Sequence, residues 1–497
     1  MSGPVSRRLF LGGLLSGAAG AALAAPPAVS LRPVARGTDL RALALPSPDA
    51  LVADARLGGA VGFAVADLST GEVLEEAEAA RGLPPASVAK AVTALYALDA
   101  LGPGHRFTTR VLAAGPLRDG AVQGDLILAG GGDPTLDTDG LAELAQGLKA
   151  AGVREVRGRF RVWGGALPFE RVIDPSQPDH VGYNPALSGL NLNFNRVHFE
   201  WRRSGGDYAV TMDARSARYR PEVRVARMAV AARDGPVYTY EDAGGRDNWT
   251  VARGALGSGG ARWLPVRKPE LYAGEVFQTF AGSHGIRLEA PEPIRGLPQG
   301  ATALAGRQSA PLREILGDML RYSTNLTAEV VGMSATAARG ASVPSLAVSA
   351  REMSRWAGQR LGMGRAHFVD HSGLGDASRV TAGEMVTALA AAERAETLRP
   401  ILKEIKLRDS QGRPVQDHPV AVRAKTGTLH FVSALAGYID VPGDRELAFA
   451  ILTADTERRA GLSRAERERP EGARAWNGRS RRLQQALIER WGILYRA

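Results

Sequence analysis

The chain has 497 residues, room for about three domains at ~150 residues each, and its 44% hydrophobic and 23% charged residues exclude wholesale disorder. It has no cysteine, which removes disulfide scaffolds, thiolate metal sites, iron–sulfur clusters and cysteine nucleophiles together. The net charge is +10, and 56 of the 62 basic residues are arginine, so each of the six lysines is worth inspecting: a buried amine can lose its proton and a guanidinium cannot.

The chain opens on Ser6-Arg7-Arg8-Leu9-Phe10-Leu11, followed by a Leu-, Gly- and Ala-rich run that ends in Ala22-Leu23-Ala24. Paired arginines, a modestly apolar stretch and a small-residue end predict an export signal over 1–25. The doublet before Leu-Phe-Leu resembles the twin-arginine type. Residues 26–48, with Pro26, Pro27, Pro33, Pro46 and Pro48, read as an extended linker. The expected workplace is the periplasm. No apolar run reaches the ~18 residues of a spanning helix, which excludes a polytopic membrane protein and leaves peripheral contact or none.

Residues 60–67 read as a strand, and Ser69-Thr70-Gly71 as a turn into a second one. Pro84 and Pro85 stop that element. A helix then follows over 87–101, with Val88, Val92, Leu95 and Leu98 at helical spacing and Gly102-Pro103-Gly104 at its end. From 106 to about 300 the texture changes to short β-like runs between Gly and Asp turns, and 290–311 reads as a return linker. Residues 312–400 read mainly as helices. Strands are predicted at 421–429, 433–440 and 446–454, and an amphipathic helix (Leu483, Leu487, Trp491) over 479–491. The outline is an α/β domain formed from 49–105 and 300–497, split by a β-rich insert at 106–299. The two strands and helix of the front half need the C-terminal meander to complete a covered sheet, since two strands alone would be marginal.

Three short motifs carry candidate chemistry. Ser87-Val-Ala-Lys90 opens the post-proline helix, and a three-residue spacing puts both side chains on one face within mutual reach. A desolvated lysine is able to take the serine proton, giving a serine nucleophile with an amine base. Ser323-Thr-Asn325 lies between two helical stretches and offers a hydroxyl and an amide. Lys425-Thr426-Gly427-Thr428 lies in a strand, where lysine and threonine would place a cation and a hydroxyl beside a substrate carboxylate. There Gly427 would let a ligand backbone approach the strand edge. Taken singly, the motifs have bland readings as helix caps and a solvated edge lysine. Ser-x-x-Lys and Ser-x-Asn each occur once, in the order that serine β-lactamases and penicillin-binding proteins share, and two of the six lysines fall inside the motifs.

On these motifs the chain resembles the D-alanyl-D-alanine carboxypeptidase/endopeptidase branch of the low-molecular-mass penicillin-binding proteins, class C type. The resemblance extends to Gly124-Asp-Leu-Ile-Leu-Ala-Gly-Gly-Gly-Asp-Pro-Thr-Leu136, to Asp370-His-Ser-Gly-Leu374 with Arg379-Val-Thr381, and to Val432-Ser-Ala-Leu-Ala-Gly-Tyr438, covering roughly 50–497. Class A β-lactamases have a far shorter interval between the first two motifs, and class C β-lactamases carry Tyr at the place of Ser323. The resemblance implies a five-stranded antiparallel sheet with helices on both sides. It implies Ser87 as acylated nucleophile, Lys90 as its proton acceptor and Ser323 as proton relay. Asn325 would contact the substrate amide and Lys90. Lys425 and Thr426 would hold the terminal carboxylate, and the N–H groups of Ser87 and Thr428 would form an oxyanion hole. The implied function is a serine DD-peptidase on peptidoglycan stem peptides, acting as carboxypeptidase or endopeptidase, acylated by β-lactams and needing no cofactor or metal. A hydrolytic β-lactamase and a non-catalytic wall-binding scaffold are the alternatives.

The remaining features read as structure. The eight histidines show no paired metal spacing. Ser372, in Asp-His-Ser-Gly, reads as support near the site, and Asp133-Pro134 as a turn. The arginines are scattered, with no aromatic-studded basic motif, so no nucleic-acid partner is expected.

Overall fold

The computed structural model describes residues 45–443, 445–464 and 466–496. The expected export signal over 1–25, and the expected linker up to residue 44, lie outside the described residues. From Pro48 onward the chain is one compact unit.

In chain order the elements that build the principal layer are α1 (Pro48–Ala55), β1 (Ala60–Asp67), β2 (Val73–Ala77) and α2 (Ala89–Leu101). After the insert come α3 (Leu312–Tyr322), α4 (Asn325–Ala338), α5 (Leu346–Leu361) and α6 (Ala382–Glu393). The last group is β3 (Lys403–Glu404), β4 (Ala421–Leu429), β5 (Val432–Val441), β6 (Arg445–Ala454) and α7 (Ala473–Leu494). The strands lie in the order β3-β4-β5-β6-β1-β2, every neighbouring pair antiparallel. The two distant parts of the chain therefore close one sheet through β1 against β6, as expected from their complementary strand counts. The sheet has six strands and not five. The extra one, β3, is a two-residue edge too short for any alternation to be read.

Period-two alternation sorts the side chains onto two covered faces. Ala64, Ala66, Ala434, Ala436, Tyr438, Ala448, Ala450 and Leu452 point toward α2 and α6. Phe63, Val65, Leu435, Ile439, Leu447, Phe449 and Ile451 point toward α1 and α7. The alanine face lets the equally small-sided α6 approach closely, and the Tyr438 hydroxyl donates to the Leu389 carbonyl of that helix at 2.9 Å. On the other face α7 lays down Trp476, Leu483, Leu487, Ile488 and Trp491, with Trp491 between Phe63 and Phe449 at ring separations of 6.1 and 6.0 Å. Truncating so large a buried ring costs ~3–5 kcal/mol. The same alternation aims Lys425 and Gly427 of β4 to the face covered by α2 and α6, beside Ala436 and Ala434, and Thr426 to the α1 and α7 face beside Leu435.

The segment between α2 and α3 has its own core. Its five-stranded sheet runs in the order Glu292–Pro293, Phe160–Trp163, Leu126–Ala129, Thr108–Ala113, Thr302–Gln308. Three three-stranded sheets accompany it. The expectation of short strands holds for most of this segment, with two differences. Helices Thr138–Ala150 and Pro269–Ser283 pack against each other within it. The first is the crossover between parallel strands Leu126–Ala129 and Phe160–Trp163. The stretch read as a return linker contains strand Thr302–Gln308, so this sheet continues past 299. The prolines around that strand hid it.

Candidate active site

Pro84 and Pro85 end the extended segment, and Ala86–Val88 forms a 3-10 turn that leads directly into α2. Ala86 sits at φ 45°, a left-handed conformation that non-glycine residues adopt only under constraint. The constraint comes from two glycines. A Cβ on Gly373 would overlap the Ala86 carbonyl oxygen, and one on Gly427 would lie 2.7 Å from the Pro85 oxygen and 3.0 Å from the Ser87 nitrogen. The turn carrying Ser87 is thus held between the 370–375 loop and β4. Gly427 consequently serves the approach of the chain's own turn, which corrects the expectation that it makes room for ligand backbone.

Lys90 stands one helical turn on, with no solvent exposure, and its ammonium group has a complete set of acceptors. Nζ donates to Ser87 Oγ at 2.9 Å, Asn325 Oδ1 at 2.8 Å and the Ser372 carbonyl at 2.8 Å. Burial draws its pKa down to about 8, against the opposing pull of Glu329 and Asp370. Both carboxyls are fully buried. Glu329 accepts from the backbone N–H of His371 (2.8 Å) and Ser372 (3.0 Å), and Asp370 from those of Gly373 (2.7 Å) and Gly375 (2.6 Å). Burial, with Asp370 nearby, pushes the Glu329 pKa up, and burial pushes up that of Asp370. The two carboxylates thereby fix the loop whose Ser372 carbonyl takes one Lys90 proton.

Ser323 closes α3 in a left-handed conformation (φ 59°), and Asn325 opens α4. The sharp turn brings Asn325 to Lys90 and Ser323 to Lys425. Asn325 spends its carbonyl on Lys90, while its Nδ2 donates to the Tyr183 carbonyl of the insert at 2.9 Å. Lys425 reaches Ser323 Oγ at 3.0 Å and its neighbour's carbonyl, that of Thr426, at 2.7 Å. Burial, followed by the charges of Lys90 and Lys403, draws its pKa down to about 6. His371 is a structural residue. Its ring lies between Ser349 (2.8 Å) and Met353 (3.2 Å), and burial draws its pKa down to about 3, which keeps it neutral.

All three motifs converge on one cavity of about 490 Å³. Ser87, Ser323, Asn325 and Thr428 are in its wall, together with Gly373 and Leu374 of the 370–375 loop and Gln177 and Tyr183 of the insert. Lys90, Lys425, Thr426 and Gly427 are not in the wall. Of the two β4 threonines Thr428 is in the wall and Thr426 is not, although the alternation puts both on the face opposite to that of Lys425. The sequence reading placed the Asp370 loop near the site but gave no role to Glu329, although Asn325 and Glu329 are four residues apart on one helix face. Nothing local could have announced Tyr183. Among the described residues no group of three or more His, Asp or Glu is placed to hold a metal ion.

Residues 47–468 match the D-Ala-D-Ala carboxypeptidase 3 (S13) family. The chain is 32% identical to a D-alanyl-D-alanine carboxypeptidase of an Actinomadura species, over 92% of this chain and 90% of that relative. It is 27% identical to carboxypeptidase DacB of Mycolicibacterium smegmatis, over 88% and 87%. Among solved structures it is similar to penicillin binding protein 4 (dacB) of Haemophilus influenzae, with a TM-score of 0.70 at 19% identity, covering 89% of this chain and 99% of that one. That likeness shows the fold.

Proposed function

The chain belongs to the D-Ala-D-Ala carboxypeptidase 3 (S13) family, and from that premise we propose how its residues perform the reaction. It is a serine-type D-Ala-D-Ala carboxypeptidase acting on peptidoglycan peptides. In our reading Lys90, as the free amine, takes the proton of Ser87, and Ser87 Oγ attacks the carbonyl of the penultimate D-alanine. With a pKa near 8, about a tenth of the molecules carry the amine form at pH 7. Burial produces that fraction; an exposed lysine would present almost none. The backbone N–H groups of Ser87 and Thr428 stabilise the oxyanion, worth about 3 kcal/mol for each donor. Ser323, backed by Lys425, passes a proton to the leaving amine. Water then releases the acyl group from Ser87 by the same proton path in reverse.

The observation that carries this reading is Lys90, buried and within 2.9 Å of Ser87 Oγ. We further propose that the leaving group is either a terminal D-alanine or the diamino acid of a cross-link, and that β-lactams acylate the same serine. On the sequence we propose export by the twin-arginine route to the periplasm. Among the described residues no helix is long and apolar enough to cross a membrane. The division into a peptidase domain and an insert is proposed on the same basis, with the boundary read at 299 moved past strand Thr302–Gln308, which pairs within the insert's sheet.

The test is incubation with fluorescent penicillin, following the intact mass over time. We expect a slow-clearing adduct that Ser87→Ala abolishes. An adduct retained in Ser87→Ala sinks the mechanism. Rapid turnover without an adduct would favour a hydrolytic β-lactamase, and no reaction a non-catalytic scaffold.

A further inference from the structure

The active-site cavity has a charge imbalance that the catalytic residues do not account for. Five charged side chains are in its wall: Arg459, Glu468, Arg469, Arg474 and Arg481. Arg459 is nearly buried and ion-paired with Asp376, its Nε 2.8 Å from Oδ1. Glu468 is turned to His180 at 3.1 Å. The other three are exposed and have no ion-pair partner among the described residues. Their neighbours in the preceding loop are committed, Arg464 to Asp179 and Arg467 to Ser176 and Asp376.

Arg474 and Arg481 are seven residues apart on α7, with Asn477 between them on the same face. Asn477 lines the cavity too, and its Nδ2 donates to the Leu429 carbonyl at 3.0 Å, which fixes this helix face beside the residue that follows Thr428. The helix gains nothing from the arrangement. Arg474 is in its first turn, where the helix dipole disfavours a cation, and no acidic residue is present in that turn to offset it. Meanwhile Lys425, which the family resemblance assigns to the substrate's terminal carboxylate, has no solvent exposure and directs its donors at Ser323 and a backbone carbonyl. The cavity wall therefore offers spare guanidinium groups where a peptide substrate needs a partner for a carboxylate.

We propose that Arg474 and Arg481, with Arg469 beside them, form a carboxylate subsite that positions the peptide while Ser87 is acylated. This rests on the reading of Ser87 given above. Guanidinium suits the task, being a permanent cation with a planar fork that matches a carboxylate. The carboxylate has two possible sources: the C-terminus of the leaving D-alanine, or a carboxyl group on the side chain of the residue that precedes the D-alanines.

The experiment measures kcat and KM of the wild-type protein and of R474Q, R481Q and the double variant on three N-acylated peptides. One ends in D-Ala-D-Ala with an uncharged preceding side chain, the second is its C-terminal amide, and the third carries a carboxylate on that side chain. Acylation of Ser87 by a neutral activated ester is measured alongside. The double variant should lose about tenfold in kcat/KM, chiefly through KM, on the peptides whose carboxylate uses the subsite, and at least fivefold less on the neutral ester. A loss that vanishes with the C-terminal amide assigns the leaving alanine. A loss confined to the third peptide assigns the side chain. Raised salt should weaken the wild-type KM for the same peptides. Equal losses on all substrates, or none, would overturn the subsite. Failure of the neutral ester to label Ser87 in the wild-type protein would instead overturn the reading on which it rests.

Discussion

Gly332→Ala sets two effects of opposite sign against each other. In a helix interior alanine is favoured over glycine by about 1 kcal/mol, so an unobstructed site would gain stability. At Gly332, inside α4, the added Cβ would stand 2.5 Å from Cδ2 of His371 and nearer still to Cγ and Nδ1. The ring would have to retreat by ~1 Å to reach ordinary van der Waals separation. It has no free direction. Ser349 and Met353 close its edges, Tyr96 stacks on it at a ring separation of 6.3 Å, and its backbone is tied to Glu329 and Thr93. Overpacking costs ~1–3 kcal/mol, and a ring with no room to move puts this case in the upper part of that range, at ~2–3 kcal/mol, so against the propensity gain of about 1 we expect a net loss of ~1–2 kcal/mol. The neighbouring Ser372 carbonyl binds Lys90, so kcat/KM should fall with stability. The companion substitution is Gly317→Ala in α3, where the nearest atom is Ile401 Cβ at 4.0 Å. It should gain up to ~1 kcal/mol and leave kcat/KM alone. Denaturant unfolding of both variants, with kinetics on a D-Ala-D-Ala peptide, is the assay. A Gly332→Ala protein as stable and active as wild type would refute the steric reasoning.

Other outcomes follow from the same geometry. The active form of Lys90 is the amine, so kcat/KM should climb about tenfold per pH unit below pH 8 and level off above it. In Glu329→Gln the carboxylate that favours the Lys90 ammonium is gone, so this limb should shift to lower pH; a limb that stays in place would show that Glu329 does not act on Lys90. The same variant replaces one acceptor oxygen with an amide donor facing a backbone N–H, at a cost of ~1–3 kcal/mol in stability, readable by chemical denaturation. Asp376→Ala strands the nearly buried Arg459 and removes the ion pair of Arg467, leaving it the Ser176 contact. Because Asp376 is itself about a third exposed, the expected loss is only ~1–3 kcal/mol, together with faster proteolytic nicking of the 456–472 segment. Unchanged nicking would mean that the pairs do not hold that segment.

The legible part of this protein is the part whose logic is local. The Ser87-to-Lys90 spacing is a property of one helix, and the observed 2.9 Å contact is what that spacing predicts. The three C-terminal strands are legible because period-two alternation with both faces buried leaves them dense in apolar residues. The segment between α2 and α3 is where reading fails. A strand flanked by prolines passed for a linker, and two helices vanished into a β-like texture. Tyr183 reaches Asn325 through a fold that no local pattern encodes. The glycines misled for a related reason: Gly427 signals a close approach, and only the tertiary structure tells that the approaching group is Ser87's own turn.

Scarcity also decides what can be read. The site buries four ionisable groups, two amines and two carboxyls: Lys90, Lys425, Glu329 and Asp370. Burying one unpaired charge costs several kcal/mol, so the carboxylates are as necessary to the site as the lysines are. With only six lysines in 497 residues, two of them inside motifs stand out at once. The two carboxylates are among 52 acidic residues, and Glu329 looks like any other glutamate on a helix. What singles it out is that its two oxygens accept from consecutive backbone N–H groups of a loop more than forty residues away, while the side chain is fully buried. The same reasoning applies to the cavity mouth in reverse. Arginine is the commonest cation of this chain, so Arg474 and Arg481 carry no signal in the sequence. They acquire one only when the fold sets them in the same cavity as Ser87 without an acid to answer them.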